Sequence, residues 1–177
     1  VGKIRLVNSP WVNHSWHVTL FVTARGLTTS AIPHGERSFQ IDFDFIDHKL
    51  IVLTCDGDRR ELPLRPQATA DFYRALMMAL DDLDLPVKIH GRTNEVVNAI
   101  PFAEDRVHAS YDPDAVNRFW RMLVQVDRVL TIFRAGFLGK CSPVHFFWGS
   151  FDLAVSRFSG RDAPAHGAHQ PHPAQPH

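Results

Sequence analysis

The chain has 177 residues, 45% hydrophobic and 21% charged, enough for one domain that buries roughly 70% of its unfolded surface without a metal or disulfide staple. Lysine plus arginine equals aspartate plus glutamate at 19 each, so the excess positive charge of a nucleic-acid binder is absent. Cys55 and Cys141 are too few and too isolated for a disulfide framework, and no apolar run reaches the ~18 residues of a membrane span or resembles a signal peptide, so a cytoplasmic protein is expected.

Along the chain, VGKIRL reads either as a strand or as the end of a helix, and Pro10 breaks it. WHVTLFVT, Trp16 to Thr23, is rich in β-branched and aromatic residues and predicts a strand. ARGLTTSAIPHGE, with Gly26, Pro33 and Gly35, predicts a connection. SFQIDFDFI, Ser38 to Ile46, alternates strictly. Phe39, Ile41, Phe43 and Phe45 face one way and Gln40, Asp42 and Asp44 the other, as in a half-buried strand. LIVLTC predicts its hairpin partner, Asp56-Gly57 a tight turn, and Arg60 to Leu64 an edge strand, because Pro63 cannot donate to a ladder.

Phe72, Leu76, Ala79, Leu80 and Leu83 recur at helical spacing and predict a helix over about 68–84, with Thr69 as its N-cap. VKIH predicts a short strand, and about fifteen polar residues after it a loop. Asp112-Pro113 is a strong helix start. The stripe Val116, Phe119, Trp120, Leu123, Val126, Leu130, Phe133 and Phe137 extends that helix to about 138, with Gly139 ending it. Arg118, Arg121 and Arg128 read as its solvated side. Pro143 to Arg157 is apolar on both parities and predicts one long central strand, bent at Gly149. The residues from 161 to 177 carry Pro, Ala and His without large apolar groups, the composition of a disordered tail.

The fold class expected is α+β: a largely antiparallel sheet of five or six strands packed by two helices, over a single domain of residues 1–160. The long helix is expected across Phe39, Phe43, Phe45 and the 144–155 strand.

Groups able to carry chemistry are sparse. GKCSPVHFFWGSFDLAV places Lys140, His145 and Asp152 in an aromatic run, and the Gly149-Ser150 step beside Trp148 suits the close approach of a ligand. VNHSWHV offers His14, Trp16 and His17. Arg25 opens RGLTT, a composition able to hold an anion. His14 and His17 with Asp42 and Asp44 are weak metal or acid–base candidates, since residues three apart on a strand point to opposite faces and paired carboxylates on a hairpin are ordinarily solvated. Asp127, Thr131 and Arg134 read as a structural ion network. Neither a thiolate site at Cys141 nor any nucleotide or hydrolase motif is indicated, so no cofactor is expected and no resident metal.

VNHSWHV, TARGLTT, FDFIDH, HASYDPDAVNRFW and GKCSPVHFFWGSFDLAV together resemble one bacterial family of uncharacterised proteins, a domain of unknown function. The likeness covers residues 1 to about 161 in order. It implies a longer protein, with a helix running into VGKIRL and a further segment after SGR, and carries no activity or site residue to this chain. Ser15 stands where the family pattern has a second Trp.

The residues support three readings, in this order. The first is a domain that binds a small molecule in a mixed aromatic and polar pocket, using His14, Trp16, His17, Arg25, Lys140, His145 and Trp148. The second is a metal-assisted or acid–base hydrolase using His14, His17, Asp42 and Asp44. The third is a non-catalytic scaffold or interaction domain. Neither a nucleic-acid nor a membrane partner is expected, and the oligomeric state is left open.

Overall fold

The computed structural model describes residues 1–94 and 96–162. The expected tail from residue 163 onward lies outside them. Helix α1 (Gly2–Asn8) comes first and resolves VGKIRL as helix. Strands β1 (Phe21–Val22), β2 (Gly26–Thr28), β3 (Ile32–His34), β4 (Arg37–Asp44), β5 (Lys49–Thr54) and β6 (Arg59–Pro63) follow. Helix α2 (Thr69–Asp81), helix α3 (Pro113–Ala135) and a hairpin of β7 (His145–Phe147) and β8 (Asp152–Ala154) complete the chain. Among the described residues no helix is long and apolar enough to cross a membrane.

The six-stranded sheet runs β1-β2-β4-β5-β6, with β3 also paired to β4, and every pairing is antiparallel. The α+β architecture is therefore the expected one. Strand β4 is its centre, and its alternation decides the fold. Phe39 and Ile41 are 2% and 0% exposed, and their β5 neighbour Val52 is buried with them. Each such side chain contributes ~1.5–3 kcal/mol by leaving water. Ile4 of α1 and Leu76 and Leu80 of α2 close over them to form one core. A second core joins Leu20, Leu27 and Phe45 to Trp120 and Leu123 of α3 and Phe146 of β7, with Phe43 and Leu64 packed against both cores. The long helix thus meets Phe45 and the hairpin, as expected, while Phe39 lies in the core of α1 and α2.

Several elements differ from their sequence patterns. The strand expected over Trp16–Thr23 shrinks to β1. Asn13–Ser15 is a single 3-10 turn, the Thr19 hydroxyl donates to the Trp16 carbonyl, and Leu20 pairs with Phe146 instead of continuing the sheet. The connection expected over Ala24–Glu36 instead supplies β2 and β3, both on one side of β4. Gly26 makes this possible: a Cβ there would sit 1.8 Å from the Phe43 carbonyl oxygen, so only glycine lets the backbones close. Thr69 does not cap α2. It is the first helical residue, and its hydroxyl donates to the His108 carbonyl. VKIH forms no strand; Val87 and Ile89 pack on the first core as irregular chain. The long strand expected over 143–157 folds back at Gly149-Ser150 into the β7–β8 hairpin, a two-stranded sheet of its own.

Helix α3 begins as the sequence predicts, with the Asp112 carboxylate accepting from the Ala115 N–H at 3.0 Å and Pro113 at the first position. It ends at Ala135, three residues short of the expected limit, with Gly136 rather than Gly139 as its cap. Two arginines fasten this end. Arg134 Nε donates to the Ser142 carbonyl at 2.6 Å, in place of the expected network with Asp127. The Arg157 guanidinium lies 3.4 Å from the centre of the Phe133 ring.

Candidate functional site

A cavity of about 710 Å³ opens where α1, α2, the 89–102 segment and the β7–β8 turn come together. Its walls are mainly apolar, with Ile4, Phe72, Met77, Phe102, Phe147 and Trp148 prominent. Local sequence explains each wall. The hairpin turn docks on α1 because Gly2 has no side chain: a Cβ there would lie 2.1 Å from Trp148 Cε2. The indole N–H of Trp148 then donates to the Val18 carbonyl at 2.7 Å, which fixes the ring. Phe72, Tyr73, Leu76 and Met77 project from successive turns of α2, and Tyr73 meets the Phe102 ring at 6.0 Å.

Few polar groups reach this cavity. Lys3 is 8% exposed, and its ammonium donates to Asn94 Oδ1 at 2.8 Å. Burial holds the Lys3 pKa below the ordinary lysine value, because desolvation disfavours the charged form. Thr93, Ser150 and Asp152 also line it.

A second cavity, of about 690 Å³, shares Thr69, Phe72 and Phe151 with the first and runs toward α3. His108 and Tyr111 stand on its lining. His108 Nδ1 is 2.8 Å from Asp105 Oδ2, while Asp105 Oδ1 accepts from the N–H groups of Val107 and His108. The His108 N–H, assisted by its ring and by Val107, outweighs burial and holds the Asp105 carboxyl below the usual carboxylate range. Tyr111 Oη lies 2.9 Å from His48 Nδ1. Neither the Lys3–Asn94 contact nor the Asp105–His108 pair is read from the sequence: the first joins residues 91 positions apart, and the second shows only as an Asp and a His three apart in an irregular stretch.

The residues expected to form a pocket divide among four places. His14, Trp16 and His145 do gather, with ring centres 5.0 Å apart for the first two and 6.1 Å for the last two. Phe158 completes this cluster, 5.3 Å from His14, and Lys140 Nζ lies 5.2 Å above the Phe158 ring. His14 and Ser15 both hold positive φ, 64° and 57°, which turns the His14 ring onto Trp16. His145 is wholly buried, bonded through Nδ1 to the Pro143 carbonyl, and burial keeps its pKa below the ordinary histidine value. It lines neither cavity. His17 turns away to Trp11, at 4.9 Å between ring centres, and accepts from the Val12 N–H. Arg25 is committed to Asp44 and Asp47 at 2.6 and 2.8 Å. Trp148 alone of the seven lines the first cavity.

The weak metal candidates are not assembled. Asp42 accepts from Gln40 Nε2, and Asp44 is buried with Arg25 and the N–H groups of Ile46 and Asp47. Among the described residues no three His, Cys, Asp or Glu side chains are placed to hold one ion. The four residues expected of a hydrolase therefore form no common site.

No curated protein and no solved structure matches the chain. Residues 1–176 match the model of a family of unknown function (DUF5996), and the chain belongs to that family.

Proposed function

We propose that this protein binds a small, largely apolar molecule in the cavity between α1, α2 and the β7–β8 turn. The supporting observation is the cavity itself: about 710 Å³, walled by Phe72, Met77, Phe102, Phe147 and Trp148 with few polar groups. Ligand sites in proteins are concave, 300–1,000 Å³ in volume and mostly apolar, with a few polar groups that orient the ligand. The Gly2–Trp148 contact and the Trp148–Val18 hydrogen bond hold one wall in place, so a ligand finds the indole already oriented.

A neutral apolar fluorophore, N-phenyl-1-naphthylamine, tests this reading. It should bind saturably with one site per chain and quench the tryptophan emission. Met77→Trp, which fills the cavity from α2, should abolish binding while leaving the circular dichroism unchanged. Absence of saturable binding to the wild type would refute the proposal, as would equal binding to the filled variant.

A further inference from the structure

We propose that the molecule held in this cavity is an amphiphile with an apolar body and a carboxylate head, and that the Lys3 ammonium is the counter-ion of that head. This rests on the binding reading above and adds the ligand's chemical class.

The argument starts from the cost of a buried charge. An ammonium removed from water loses several kcal/mol of hydration unless a charge and hydrogen bonds replace it. Lys3 is 8% exposed, and among the described residues it makes no ion pair; its one hydrogen bond goes to the neutral amide oxygen of Asn94. One of the three ammonium donors thus has a partner, in a chamber whose wall is mainly apolar. Asp152, which also lines the cavity, is exposed at the hairpin turn and does not reach Lys3.

Geometry then selects the head group. Because Asn94 Oδ1 accepts from Lys3, the other arm of that amide is an N–H donor beside the ammonium. Thr93 adds a hydroxyl to the same lining. The side chains of Lys3, Asn94 and Thr93 together offer one positive charge and two neutral donors, which match a monoanion with two oxygens; a dianionic phosphate would remain undercompensated. The rest of the wall is mainly aromatic and aliphatic, with Thr69, Tyr73, Ser150 and Asp152 as its other polar side chains, and suits an apolar body. The lowered pKa of Lys3 has the same origin, and an anion in the cavity would raise it.

Calorimetric titration with decanoate and with 1-decanol, which share a chain and differ in the charge of the head, tests the assignment. Decanoate should bind the wild type at least tenfold more tightly than decanol. Lys3→Met should bring the two affinities together, and Met77→Trp should remove both. Equal affinities in the wild type would overturn the counter-ion role and leave the cavity reading intact, without relying on any variant's folding. A preference for decanoate that persists in Lys3→Met would overturn it too. Binding of neither probe to the wild type would overturn the cavity reading and this assignment with it.

Discussion

Strand β4 and helix α3 carry the two most regular hydrophobic patterns in the chain, and the protein treats them differently. In β4 the alternation is honoured where it matters: Phe39 and Ile41 vanish beneath α1 and α2. In α3 full burial is confined to the first half of the stripe, and Leu130 and Phe137 beyond it are only half-buried. Trp120 and Leu123 are buried, whereas Val126 and Phe133 are 39% and 47% exposed, and Val129 and Ile132, which flank the stripe, 56% and 65%. Length explains the contrast. A 23-residue helix spans ~35 Å at 1.5 Å per residue, but β2, part of the sheet core it packs on, has three residues and spans ~10 Å. Periodicity reports which face of an element is apolar. Whether anything lies opposite that face depends on the reach of its neighbours.

Mutations can break this contrast or sharpen it. The largest effect should come from Ile41→Ala in β4, a loss of ~2–5 kcal/mol in chemical denaturation, because the surrounding core cannot collapse into the space. Leu123→Ala, in the covered half of α3, should lie in the same range. The polar face of β4 comes next. Burial raises the Asp44 pKa, but the Arg25 hydrogen bond and two backbone N–H groups outweigh it, and the net value lies below the ordinary one. A carboxylate depressed in the folded state stabilises the protein above its unfolded pKa, and that stability is lost as pH falls through the folded value. Asp44→Asn should therefore cost ~1–3 kcal/mol at pH 7, and the difference from wild type should shrink below about pH 4. Asp112→Ala, at the cap of α3, should cost ~1 kcal/mol and fray the first turn, measurable by hydrogen exchange. The smallest effect belongs to the bare half: Ile132→Ser should change stability by no more than ~0.5 kcal/mol. A loss there comparable to that of Leu123→Ala would show that the two halves are equally covered in solution.

Much of the architecture is legible in the residues, and the reason is local. Strict alternation from Phe39 to Phe43, the Asp56-Gly57 turn and the Asp112-Pro113 start each depend on neighbours in sequence. The candidate site is far less legible. Trp148 is anticipated from its small neighbours, but its wall exists because Gly2, 146 positions away, has no side chain. Lys3 carries no signal in GKIR, since only tertiary packing removes it from water and sets it beside Asn94. The histidines attract attention by their chemistry. His145 and His17 then prove to be packed among aromatic rings, where their polar atoms meet backbone groups. The β7–β8 hairpin is hidden for a related reason: apolar residues on both parities describe burial on two sides equally well for one long strand and for a folded-back pair.

The fastening of α3 has a mechanical consequence. Arg157 beneath Phe133 and Arg134 on the Ser142 carbonyl couple the last turns of the helix to the two ends of the hairpin arm. That arm is held by the Cys141–Arg157 bridge at its base and by the β7–β8 pairing further out, with Trp148 at its far tip. The exposed end of α3 is therefore tied to the base of the same arm whose tip supplies the aromatic wall facing Gly2.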